Sequence, residues 1–265
     1  MYSTCLIASS TTKGMIHLIT NHEQLLEIAR SRLKFTGNIT IQAVPQSEAS
    51  SPEFGLQQAL TSSNADALQH SIRYVVDSRL QDSDLFHEFC HVKLNEIGFK
   101  RVEIIMEQKA GLFSKSEPEH KEMNRAVVFI AESYANALLF KHFKDESEPT
   151  RDDLDHRFLF TSSLREIVAR LGYDGIAQAA VHRIAKIWSG YDLDVELRAA
   201  FEEAFRGSSV LGIYIKFCSI MSELPPIREC AEQIQNMTQA DIDSIVQCAL
   251  KLFANEEEWR TLHQS

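Results

Sequence analysis

The chain has 265 residues, with 27 Lys and Arg against 37 Asp and Glu, for a formal net charge of −10. Apolar residues make up 44% and charged residues 24%, the balance of a globular chain, and 10 Gly with 6 Pro exclude collagen-like or low-complexity order. The acidic balance argues against a broad phosphate-binding surface, so nucleic acid is a disfavoured partner.

Along the chain, residues 22–34 place Leu25, Leu26, Ile28, Ala29 and Leu33 at helical spacing, closed by Gly37-Asn38. Residues 39–44 alternate and are β-branched, which predicts a strand ended by Pro45. Residues 46–66 are polar and turn-rich and read as a loop with at most a short helical piece. Ser71 to Asp77 reads as a second strand, followed by a helix from about Asp82 to Gly98 with Asp82, Ser83 or Asp84 as its cap. The charged stretch 100–124 reads as a short strand, Val102 to Met106, and then an exposed loop. Asn124 to Phe143 is helical and apolar almost all round, the pattern of a buried helix. After the charged linker 144–153, every segment with a pattern is helical: 157–171, 174–189, 193–206, 209–222, 227–235 and 239–254. The expected fold is α+β, a small mixed sheet with two site-bearing helices, followed by an all-helical domain. The boundary falls between residues 145 and 146.

Five cysteines with no CxxC pair fit a reducing compartment. The first twenty residues lack the pattern of a secretory signal, and no apolar run reaches the length of a membrane span. These features predict a cytoplasmic protein with no membrane partner, although delivery by a dedicated secretion machine leaves no such trace.

One constellation carries chemistry: His87-Glu88-Phe89-Cys90-His91, an H-E-x-x-H pattern. Two His four residues apart share a helix face, so both imidazoles can reach one metal ion, while Glu88 lies where a general base for a bound water belongs. The flanking Leu85, Phe86, Phe89, Val92 and Leu94 supply core positions, and Cys90 points away from the His face as a packing residue. The strand before the motif occupies the place where zinc peptidases pair an edge strand with an extended substrate. Zinc asks for a third protein ligand. The long motif with a further Gly and His is excluded, because Leu94 and Ile97 hold those places. Glu132 is the outstanding third candidate, 41 residues after His91 and the only acidic residue of an apolar helix, where a lone carboxylate needs a partner. Ala135 lets that helix approach closely, and Asn136 is placed to brace a ligand His through its amide.

His87-Glu88-x-x-His91 with Glu132-x-x-Ala135-Asn136 resembles the gluzincin metallopeptidases, most nearly the compact minigluzincin type with its ImmA/IrrE-like relatives. The resemblance covers about residues 20–145. It implies a Zn2+ site held by His87, His91 and Glu132, Glu88 as catalytic base, and hydrolysis of a protein or peptide substrate. Among residues within reach by sequence order, Tyr134, His142 and His156 are the candidate oxyanion donors, Tyr134 first. The competing reading is a regulatory or interaction protein with a structural or degenerate zinc site, whose helical half binds a protein partner. The helical half matches no family pattern, and its helix–Gly172–helix segment at 164–188 is a weak hint of DNA binding set against the acidic charge.

Overall fold

A computed structural model describes residues 22–45, 59–64, 66–75, 82–113, 117–143, 161–190, 194–225 and 237–263. Helix α1 (His22–Leu33) buries Leu25, Ala29 and Leu33, one turn apart. Three strands follow: β1 (Asn38–Val44), β2 (Ala59–Ser63) and β3 (Gln69–Val75). The sheet order is β1-β3-β2, with β1 parallel and β2 antiparallel to β3. Ile41 and Thr61 both pair with Ile72, whose side chain is fully buried. The described part of the strand expected at 71–77 is therefore the centre of the sheet and not its edge; β2 is the edge beside the motif helix. Residues 59–63 were expected to be loop, because Ala-Leu-Thr-Ser-Ser carries no β-branched alternation, and pairing with β3 decides its conformation.

Helix α2 (Asp82–Leu94) carries the H-E-x-x-H residues and packs on β2. A π-helical segment, Asn95–Phe99, is kinked at Gly98, where φ is +121° and a Cβ would meet Met237 at 3.1 Å. The chain turns there into α3 (Lys100–Phe113). The expected strand at 102–106 is thus helix, as are residues 107–113 and 117–124 of the expected loop. Val102, Met106 and Ala110 recur every four residues and are all fully buried, so one-sided burial overrides the β-branched composition. Helix α4 (Glu117–His142) begins seven residues earlier than the apolar pattern predicted.

The described residues of the C-terminal half are mostly helical: α5 (Thr161–Leu171), α6 (Tyr173–Trp188), α7 (Asp194–Ala204), α8 (Ser209–Met221) and α9 (Gln239–His263). The expected helix at 227–235 and the linker 144–153 lie outside the described residues. Helix α4 packs against α2 and α3 on one side and α6 and α9 on the other. Buried residues from Leu25 to Leu252 form one continuous core, so the line at 145/146 does not interrupt it. The helical half is a layer laid against α4, and α4 belongs to both halves. Among the described residues no helix is long and apolar enough to cross a membrane.

Candidate metal centre

Helix α2 buries Leu85, Phe86, Phe89, Cys90 and Val92, which leaves His87 and His91 on the face turned toward α4. The approach is close because α4 presents Ala131 and Ala135 there, 7% and 0% exposed. Glu132 projects between them. His87 Nε2 lies 3.1 Å from Glu132 Oε2, His91 Nε2 lies 3.3 Å from Glu132 Oε1, and the two Nε2 atoms are 3.1 Å apart. The three side chains are 17–23% exposed, withdrawn from bulk water yet reachable.

These separations carry chemical information. Two ligand atoms bound tetrahedrally at zinc distances of 2.0–2.1 Å stand about 3.3 Å apart. Two imidazoles and a carboxylate, each offering one atom within 4.8 Å of the others, could hold a divalent metal by drawing in toward it. The arrangement satisfies Glu132 electrostatically as well. Burial alone would raise its pKa and lower that of His87. The mutual attraction of the pair wins in both cases, holding Glu132 well below the usual carboxylate range and pushing His87 up to about 9.

Glu88 is 7% exposed and turns to the same place. Thr61 Oγ1, on β2, donates to Glu88 Oε2 at 2.6 Å, which leaves Oε1 without a hydrogen-bond partner among the described residues. A cavity of about 250 Å³ opens onto Glu88, His91 and Glu132, walled by Leu60 and Thr61 of β2, by Glu103 and Glu107 of α3, and by Val127 and Val128 of α4.

The structure thus brings His87, His91, Glu132 and Glu88 together, as the sequence pattern predicted. Tyr134 is placed elsewhere. It follows Glu132 by two residues, about 200° around the helix, and is fully buried on the opposite side. Its ring stacks on Trp188, and its hydroxyl donates to the Pro225 carbonyl at 3.0 Å. Of the other expected oxyanion donors, His142 ends α4 about 15 Å along the axis from Glu132, and His156 lies outside the described residues. Asn136 donates its amide to the Glu132 carbonyl at 2.9 Å, which braces the helix and not a ligand His. The sequence reading missed Thr61, Asn95, Glu103 and Glu107. Two signals were present: Asn95 follows His91 by one helical turn, and Glu103 and Glu107 share that spacing on a face about 100° round the helix from Val102 and Met106.

Comparison with protein-family models, with curated proteins and with solved structures finds no match.

Proposed function

We propose that this chain is a zinc-dependent metallopeptidase that hydrolyses peptide bonds of a protein or peptide substrate. The convergence of His87, His91 and Glu132 beside a cavity that also holds the Glu88 carboxylate carries the reading. When bound, zinc supplies a Lewis acid that acidifies water and polarises a carbonyl. Structural zinc sites close around four protein ligands, whereas three ligands facing a cavity fit a catalytic site with a position left for water.

The remaining steps fall to the chain. Glu88 takes a proton from the attacking water, and the Thr61 hydroxyl fixes its carboxylate so that Oε1 is the accepting atom. Among the described residues β2 has no strand on its outer side, and backbone hydrogen bonds to an extended peptide added there would bring a scissile carbonyl past Glu88. Among the described residues, Cys90, Cys218 and Cys248 are buried and in no disulfide, which fits a reducing, cytoplasmic setting. The helical layer against α4 is available for a protein partner.

The test pairs metal analysis with proteolysis. Purified protein should hold about one zinc per chain and cut a mixture of peptides. Glu88→Gln should keep the zinc and lose at least about a hundredfold in kcat/KM. A chain that retains no zinc after equilibration, or a Glu88→Gln variant with undiminished cleavage, overturns the reading.

A further inference from the structure

The cavity beside the metal centre is lined by hydrogen-bond acceptors and apolar walls, and one acceptor is held in place by a chain of bonds behind it. Asn95 is 7% exposed and lines the cavity. Its Nδ2 donates to Ser63 Oγ at 2.8 Å, and Ser63 Oγ lies 2.7 Å from His70 Nδ1. On the far side of that ring, His70 Nε2 lies 3.5 Å from Glu96 Oε1. The Glu96 carboxylate is itself fixed as an acceptor, receiving the backbone N–H groups of Thr36 and Gly37.

The direction of the chain follows from its fixed end. His70 Nε2 makes no hydrogen bond among the described residues, but the Glu96 carboxylate 3.5 Å away draws the ring proton to that nitrogen, and Nδ1 is left as an acceptor. Ser63 has one proton and spends it on Nδ1, so its oxygen must accept from Asn95. The Asn95 amide therefore cannot flip without losing a bond. Its Oδ1 has no partner among the described residues and belongs to the cavity. Gly37 fits this design: a Cβ there would strike His70 Nε2 at 2.5 Å and displace the ring.

Across the cavity stand Glu103 and Glu107, one turn apart on α3. Lys100 pairs with Glu103 at 2.7 Å, whereas Glu107 has no cationic partner among the described residues. Leu60, Val127 and Val128 line the same cavity, the last 45% exposed. An aliphatic stem ending in a cation matches an apolar wall ending in carboxylates.

We propose that the cavity is a specificity subsite for a Lys or Arg side chain of the peptide, with its stem on Val127 and Val128 and its head among Glu107, Glu103 and Asn95 Oδ1. This assignment rests on the peptidase reading and names its substrate class: a peptide basic next to the bond that is cut. Ser63 is a positioning residue, acting through Asn95.

The test uses the zinc-loaded full chain and peptides, each made both N-acetylated and with a free N-terminus, that differ at one position, Lys, Arg, norleucine or Glu, with cut sites and kcat/KM read by mass spectrometry. Cuts should fall at a fixed spacing from a basic residue, and Lys→norleucine should lower kcat/KM about tenfold. Glu107 is exposed on a helix, so Glu107→Lys should fold and reverse the preference toward Glu, while Glu107→Gln should only flatten it. Ser63→Ala should raise KM for the Lys peptide without changing the norleucine peptide, and Ser63→Thr should restore it. Cuts spread without regard to charge, or a preference unmoved in Glu107→Lys, overturn the subsite. So does cleavage confined to peptides with a free N-terminus, which would assign the acceptors to an α-ammonium. If the zinc-loaded chain cuts none of the peptides, the peptidase reading fails and fluorescence anisotropy decides the subsite alone. Tighter binding of Lys than of norleucine, lost in Glu107→Lys, upholds it, and equal binding overturns it.

Discussion

Glu132 and Glu256 are both carboxylates withdrawn from water against α4, and the molecule neutralises them in opposite ways. Glu256, on α9, is 2% exposed and lies between Arg125 of α4 and Arg260, which also grips Glu122. Glu132, two turns along α4 from Arg125, faces two imidazoles. A guanidinium stays protonated at any ordinary pH and has no lone pair to give a metal, so the Glu256 cluster can only be an ion-pair clasp. An imidazole can surrender its proton and coordinate, so the Glu132 cluster can exchange its protons for a cation. Burial and charge alone do not separate structural from functional carboxylates here; the chemistry of the partner does.

Crossing the two clusters gives the largest effects. Glu132→Ala should drop zinc from about one per chain to near none, with the metal-free thermal transition moved little. Glu256→Ala should do the reverse, lowering stability by about 2–3 kcal/mol while zinc still binds the folded fraction. The figure is below that of a fully buried pair because Arg125 and Arg260 are 36% and 28% exposed and can rehydrate. Denaturant titration beside metal analysis reads both. A Glu256→Ala protein of unchanged stability would dissolve the contrast, as would a Glu132→Ala protein that keeps its zinc.

Thr61→Val removes the bond to Glu88 Oε2 and keeps the shape of the side chain. The free carboxylate should lose its orientation, and kcat should fall about tenfold with zinc content and KM unchanged. An equal fall in zinc occupancy would move Thr61 from the catalytic base to the metal cluster.

Glu96 is a third kind of carboxylate, held by the backbone N–H groups of Thr36 and Gly37 and by the nearby His70 ring. Burial opposes ionisation, but these contacts outweigh it and hold its pKa below the usual carboxylate value of 4.5. A lowered pKa in the folded state means that the contribution is complete above pH 4.5 and is lost as pH falls through the folded value. Glu96→Gln should therefore cost about 1 kcal/mol at pH 7 and flatten the acid limb of stability below pH 4.5. Chemical denaturation between pH 3 and 7 checks the slope; an unchanged slope would mean that Glu96 is ionised no more readily in the native state than in the unfolded chain.

These clusters also explain what was legible in the sequence. His87, Glu88 and His91 declare themselves because a helix turns a spacing of four into adjacency, and Glu132 because one carboxylate in an apolar helix begs a partner. Thr61 and Ser63 were illegible because Ala-Leu-Thr-Ser-Ser becomes a strand only by pairing with β3. Glu103 and Glu107 were hidden by a β-branched stretch that reads locally as strand, although Val102, Met106 and Ala110 recorded the helix in their spacing. The Glu256 cluster joins residues more than a hundred positions apart, Arg125 and Glu122 with Glu256 and Arg260, and no local pattern encodes such a meeting.

Tyr134 gives the smallest and most discriminating outcome. The sequence places it two residues from Glu132, near enough in order to be an oxyanion donor, yet the helical rotation sends it into the core. There its ring lies against Trp188 with centroids 4.8 Å apart, edge-on to Phe99, and the hydroxyl closes a bond to the Pro225 carbonyl at 3.0 Å. Tyr134→Phe keeps both ring contacts and deletes one neutral hydrogen bond, so it should cost about 1 kcal/mol of stability. Because that hydroxyl is committed on the far side of α4 from the cavity, kcat and KM should stay within about twofold of the parent. A donor lost from a developing oxyanion costs a hundredfold or more, so the two assignments differ by a margin that a single rate measurement resolves. A large fall in kcat with unchanged stability would return Tyr134 to the site and require α4 to rotate by half a turn during catalysis, carrying Glu132 away from His87 and His91; retained zinc in that same variant would show whether such a rotation is compatible with the ligand set.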